Sequence, residues 1–274
     1  MSKDTTIRVI TAVVGLIMFF VVIFADMIVF DIALSVIILM MLFEVFYVFK
    51  SDILLKIFGV SGSVLIIFTL AYDKQLFVPA LVLYVAVMAA ATVFGHKKIS
   101  FADMAAVLFA TLYITVFMSF VARAREMDEF GLYYVCLIFA CAWMTDTGGY
   151  FIGRFFGRHK LVPEISPKKT VEGAIGAVVF SIIGCVLLGV FANIISNAQS
   201  NLLLLAAVGA AGSCTAQVGD LIASQMKRTC GVKDFGNIMP GHGGVLDRFD
   251  SVIMTAPLVY YFCAYFANMG MNIF

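Results

Sequence analysis

Between Asp220 and Asp250 the chain collects the residue types that phosphate chemistry uses, at spacings that bring them together. On a helix running past Asp220, Ser224 falls one turn further along the same face, and Lys227 and Arg228 two turns further. Asp220, Ser224, Lys227 and Arg228 thus form one polar stripe. Asp247 and Asp250, three residues apart, share a face if the next helix begins near residue 246. Carboxylates from two such helix ends can converge, and they repel one another unless a cation sits between them. Hard oxygen donors with room for phosphate favour magnesium, which makes Asp220, Asp247 and Asp250 candidate metal ligands; a second cation is left open. The glycines at 241, 243 and 244 flank His242 and permit a backbone that approaches a phosphate or a base closely. His242 can donate to a phosphate oxygen or move a proton.

A second block lies upstream. Asp146 falls inside an apolar stretch, where an ionisable group is costly and is a functional candidate by default; Tyr150, one turn on, would lie beside it. Ser166, Pro167, Lys168 and Lys169 read as a helix start, with Ser before the first turn and Pro at its first position. Lysines in a first turn oppose the helix dipole, and a bound phosphate would resolve the conflict. The alternative is that both lysines meet anionic lipid headgroups at a membrane surface.

The segment Ser224 to Asp250, SQMKRTCGVKDFGNIMPGHGGVLDRFD, resembles the signature of the phosphatidate cytidylyltransferases: Ser, Lys-Arg, Lys-Asp, Pro-Gly-His-Gly-Gly and Asp-Arg-x-Asp. Trp143, Asp146, Tyr150, Gly153, Gly157 and the run SPKKTVEG from Ser166 are similar to that family's central region. Ala223 departs from it, standing where many members carry an acidic residue. The resemblance covers the carboxyl-terminal half. It implies a transfer of CMP from CTP to phosphatidic acid, giving CDP-diacylglycerol and pyrophosphate. Two polyanions meet in that reaction, so a bridging metal and surrounding Lys and Arg are needed, and no side-chain nucleophile is. The implied catalytic residues are Asp220, Asp247, Asp250 and His242. The implied substrate-binding residues are Asp146, Ser166, Lys168, Lys169, Ser224, Lys227, Arg228, Lys233, Asp234, Gly243, Gly244 and Arg248.

The elements that must position these residues are membrane helices. With 63% hydrophobic and 13% charged residues over 274 positions, the chain has more apolar surface than a soluble globule of its size buries. A net charge of +1 gives no surplus that would attract nucleic acid. About 20 apolar residues span the hydrocarbon core, and nine such stretches are expected, near 8–25, 27–49, 53–71, 76–94, 101–121, 131–152, 173–195, 201–223 and 250–270. The fold class is therefore all-α, a polytopic integral membrane protein of about nine transmembrane helices. It forms a single membrane domain over 1–274, with amino-terminal helices to residue 130 and a catalytic half over 131–274.

With the amino terminus inside, the inward segments hold Lys3, Arg8, Lys50, Lys56, Lys97, Lys98, Arg154, Arg158, Lys160, Lys168, Lys169, Lys227, Arg228, Lys233 and Arg248, against Lys74, Arg123 and Arg125 outside. That bias puts loops 153–172 and 224–249 in the cytoplasm and the carboxyl terminus outside; the resemblance implies the inner (plasma) membrane. Lys50, Lys56, Lys97 and Lys98 read as headgroup anchors, and Asp26, Asp31, Glu44 and Asp103 as capping or snorkelling groups at helix ends. The six cysteines, without CxxC or zinc-type spacing, read as small buried apolar residues. A transporter would concentrate its charge near the midplane between broken helices; here most charge sits in inward loops, which favours an interfacial enzyme. The partners expected are CTP, phosphatidic acid and membrane lipids, without nucleic acid; a homodimer is one arrangement open to it.

Overall fold

The computed structural model describes residues 3–96, 98–196, 198–239, 241, 243–271 and 273–274, with side chains from residue 9 onward. Among these residues lie nine α-helices: α1 (Lys3–Ile23), α2 (Met27–Val48), α3 (Ile53–Tyr72), α4 (Phe77–Phe94), α5 (Phe101–Arg125), α6 (Gly131–Phe156), α7 (Val171–Ser196), α8 (Leu202–Thr229) and α9 (Leu246–Asn268). The antiparallel strands β1 (Lys160–Val162) and β2 (Ser166–Thr170) join α6 to α7. Helices α2 to α9 are each long and apolar enough to cross a membrane, whereas α1 contributes a shorter apolar stretch, Val9–Ile23. The all-α polytopic expectation is met: nine helices lie where nine stretches were expected, eight of them long and apolar enough to span among the described residues.

Helix starts follow local chemistry. Asp52 caps α3 by accepting from the Leu54 amide at 2.9 Å. Ser100 caps α5, its Oγ accepting from the Asp103 amide at 3.0 Å while donating to Asp103 Oδ2 at 2.7 Å. Ser100 is thus the cap, and Asp103 supports it by accepting from its hydroxyl.

The chain divides into two compact units, residues 1–119 with 230–248, and residues 120–229 with 249–274. The first unit buries Met41, Leu42, Phe46, Leu55, Ile66 and Met88. Its loop 230–248 carries the Lys233 to Arg248 part of the signature. The second unit packs α6, α7 and α8 through small residues. A Cβ at Gly148 would lie 2.8 Å from the Gly176 carbonyl, and one at Gly173 would lie 2.9 Å from the Gly149 carbonyl. Apolar side chains gain little by leaving lipid for one another, so close backbone approach between glycine faces is what holds such helices together. The glycines of α6 serve that packing. Ser181 Oγ donates to the Gly209 carbonyl at 2.8 Å, and Thr145 Oγ1 to Ser213 Oγ at 2.8 Å, so the polar groups inside this bundle are paired.

Candidate active site

In the second unit, α6 ends, α7 begins and α8 ends around the β1–β2 hairpin, and α9 contributes Asp250 and Ser251. The hairpin is tied to the start of α7. Glu172 accepts from the amides of Arg158 (3.0 Å) and His159 (3.2 Å), with His159 Nδ1 2.6 Å from its Oε1, and the Val171 amide donates to the His159 carbonyl at 2.9 Å. Thr170 caps α7, its Oγ1 accepting from the Gly173 amide at 3.1 Å. Ser166, Pro167, Lys168 and Lys169 are thus strand residues, and the expected phosphate-binding helix start at Ser166 is corrected. The helix begins at Val171, with the acidic Glu172 in its first turn, as the dipole prefers. The conflict posed by two lysines in a first turn does not arise.

The two lysines differ in their surroundings. Lys168 is exposed, whereas Lys169 is half-buried and its Nζ lies 2.7 Å from Asp220 Oδ2. Ser224 Oγ donates to Asp220 Oδ1 at 3.3 Å, as the one-turn spacing on α8 requires. Arg228, two turns past Asp220, donates from Nε to the Ile165 carbonyl of the hairpin at 3.4 Å. Asp250 is buried early in α9 and has Asp220, Asp146 and Lys227 as electrostatic neighbours. Ser251 joins two of these acids: its Oγ lies 3.2 Å from Asp146 Oδ1 and 3.4 Å from Asp250 Oδ1, while its amide donates to Asp250 Oδ1 at 2.7 Å. Asp146 itself is exposed, although it sits well within α6. A carboxylate is stable at that depth only where water or a polar ligand reaches it.

Gly219 makes the approach of the two helices feasible: a Cβ there would lie 2.5 Å from the Asp250 carbonyl oxygen. Tyr150, one turn past Asp146 on α6, has its hydroxyl 2.6 Å from Arg154 Nη1.

In the first unit the signature loop folds around two carboxylates. Asp247 Oδ2 accepts from the amides of Phe235 (2.9 Å) and Gly244 (3.0 Å). Glu44, near the end of α2 and only 5% exposed, accepts from Val245 at 2.8 Å and Leu246 at 2.9 Å, the first amides of α9. Glu44 does cap, but it caps a helix some 200 residues away in sequence rather than its own. Gly243 has φ +86° and lies so near Asp247 that a Cβ would come within 3.1 Å of Oδ2; at Gly244 a Cβ would be 2.5 Å from Glu44 Oε2. These glycines are accounted for by the loop's own packing. Lys233 and Asp234 line a cleft of about 330 Å³ with Tyr47, Lys50 and Asn237. Lys50, expected as an anchor only, belongs to that cleft. Arg248 closes the unit at the start of α9, and His242 lies outside the described residues.

Sequence reasoning missed Ser251 and the reach of Glu44. Ser251 follows Asp250 directly, and its sequence carries no further signal; Glu44 announced itself only as an acid in an apolar stretch. Asp146, Asp220 and Asp250 have the hard oxygen chemistry that magnesium takes. Among the described residues, no three His, Cys, Asp or Glu side chains are gathered closely enough to hold an ion as they stand.

Eight apolar spans with acids and lysines collected around one hairpin define a polytopic α-helical membrane protein with a mixed-charge cluster at its helix ends. The sequence matches the Cytidylyltransferase family over residues 6–266, and the chain belongs to that family. It is 43% identical over 169 residues to the phosphatidate cytidylyltransferase of Staphylococcus haemolyticus, a match covering 61% of this chain and 62% of that one. The protein of the same name from Bacillus subtilis is 36% identical over 176 residues, 64% of each chain. That of Staphylococcus aureus is 40% identical over 168 residues, 61% of this chain and 62% of the relative. The chain thus matches a little over three fifths of the length of these relatives.

Proposed function

We propose that this chain is a phosphatidate cytidylyltransferase: it transfers CMP from CTP to phosphatidic acid, with a site facing the cytoplasm of the plasma membrane. The observation that carries the reading is the cluster of Asp146, Asp220 and Asp250 with Lys169 and Lys227, in a member of the Cytidylyltransferase family. The names of the relatives supply the substrates.

In this mechanism a phosphatidate oxygen attacks the α-phosphorus of CTP, the bond from that phosphorus to the β-phosphate bridging oxygen breaks, and the electron pair leaves with pyrophosphate. Lys169, Lys227 and Arg228 neutralise the phosphates as they approach and hold the leaving group's charge. Asp220 and Asp250, with Asp146 as the exposed third carboxylate, would hold magnesium together with the nucleotide's phosphates. When bound, that ion polarises phosphoryl oxygens and screens one anion from the other. Ser224 and Ser251 orient Asp220, and Asp146 with Asp250, respectively. Asp247 spends one oxygen on the loop amides, so its part is to shape the segment bearing Lys233, Asp234 and Arg248. Basic residues at alternate helix ends favour a cytoplasmic site, where CTP is available.

The test is purified protein with labelled CTP, magnesium and a panel of phospholipid acids. A CDP-lipid formed from phosphatidic acid supports the reading; turnover with another lipid phosphate alone, or with none, overturns it.

A further inference from the structure

Glu44 lies outside the signature and in the amino-terminal helices, yet its carboxylate accepts from two amides of the signature loop. The first amides of a helix have no partners within it and carry the positive end of the dipole, so a helix start is a natural seat for a phosphate. At α9 that seat is taken. Glu44 Oε1 accepts from Val245 and Oε2 from Leu246, while Asp247 Oδ2 takes Gly244 and Phe235. The carboxylate is buried, and two glycines make room for it: a Cβ at Gly236 would lie 2.7 Å from Oε1 and one at Gly244 2.5 Å from Oε2.

A cap could be supplied by a neighbouring Ser or Asp at little cost, as Asp52 does for α3. A buried acid brought from α2 instead joins the amino-terminal helices to the loop that carries Lys233, Asp234, Asp247 and Arg248. Its reach also bars substrate phosphate from the α9 amides and leaves the loop's cations as the available partners.

We propose that Glu44 is a positioning residue for nucleotide transfer: an internal anion that fills the α9 amino terminus and holds the Phe235–Asp247 loop in one arrangement. The inference rests on the cytidylyltransferase reading for its kinetic consequence, but not for the contact itself.

Two readouts on the full chain in detergent separate these. Amide hydrogen exchange at Val245 and Leu246 reports the hold directly. In Glu44→Gln one end of the side chain becomes a donor facing donors, so exchange there should quicken about tenfold or more, the loss expected for a charge-assisted bond. Steady-state kinetics on the folded fraction should show kcat down about tenfold with KM for CTP changed less than about threefold, because the variant disturbs arrangement rather than a substrate contact. If Glu44→Gln fails to fold, Gly236→Ala keeps the charge but crowds Oε1, and the same two shifts are expected. Unchanged exchange in the variant that folds overturns the hold. Faster exchange with unchanged kcat makes Glu44 a plain cap and overturns the positioning role. A wild-type protein that forms no CDP-lipid refutes the cytidylyltransferase reading and with it the kinetic role, while exchange still decides whether Glu44 holds the loop.

Discussion

Gly219 gives the sharpest test of the acidic cluster because its effect can be worked from distances. A methyl group at that position would sit 2.5 Å from the Asp250 carbonyl oxygen, 3.2 Å from Met254 Cβ and 3.3 Å from Met254 Cγ. The nearest atom is backbone, so no rotamer change relieves the clash. Reaching ordinary van der Waals separation takes a shift of about 1 Å between α8 and α9, carrying Asp250 away from Asp220, and a displacement of that size costs catalysis about 10²-fold. That corresponds to about 2.7 kcal/mol of transition-state stabilisation. Overpacking should also lower stability by about 1–3 kcal/mol, which leaves room for an inserted, folded protein. The assay is CDP-lipid formation at saturating CTP by Gly219→Ala in detergent, corrected for folded protein. Gly15→Ala, where no atom lies within 4 Å of the added group, is the control and should match wild type. Wild-type kcat in Gly219→Ala would refute the claim that close approach of these two helix ends sets the site.

Four further outcomes can be checked separately. Lys169→Ala should lower kcat/KM for CTP about tenfold, whereas Lys168→Ala, exposed on the strand, should change it less than about threefold; equal effects would contradict the different placements of the two lysines. Ser251→Ala removes one hydroxyl shared by two carboxylates and should cost about 1 kcal/mol, or roughly fivefold in rate, and unaltered kinetics would remove Ser251 from the site. Cys230, just past α8, has its thiol pKa pushed up by burial, with Lys50 pulling the other way. Less thiolate is then present than in a free cysteine, so maleimide labelling of Cys230 at pH 8 should be slower than that of an unburied thiol. A cysteine placed at Lys233 should label from the cytoplasmic side of sealed vesicles, and labelling from the outside alone would reverse the proposed topology.

Much of this architecture was legible because membrane helices are written in long apolar runs, and the predicted spans fall within a few residues of the observed helices at most ends. The one-turn spacing of Asp220 and Ser224 likewise translated directly into a contact. The hairpin is ambiguous in sequence because Ser166-Pro167 and Thr170-Val171 both offer a cap followed by a residue tolerated at a first helical position, and Pro at an edge strand is as acceptable as Pro at a first turn. Charge discriminates between them: Glu172 suits a first turn and Lys168 and Lys169 do not. The glycines at 243 and 244 suggest close approach of substrate, yet Gly243 packs on Asp247, four residues on, and Gly244 on Glu44, a partner about 200 positions away that local pattern does not encode. Ser251 was invisible for the same reason, since its partner Asp146 lies 105 positions upstream.

The measurement that bears most directly on the central claim follows the two ends of the nucleotide separately. Purified protein, phosphatidic acid and magnesium are incubated with CTP labelled at the α-phosphorus or at the γ-phosphorus. The account predicts α label in the lipid fraction, γ label in pyrophosphate, and loss of both products in EDTA with recovery on added magnesium. Label from the γ-phosphorus in the lipid would mean that a phosphoryl group, and not CMP, is transferred, and would contradict the account.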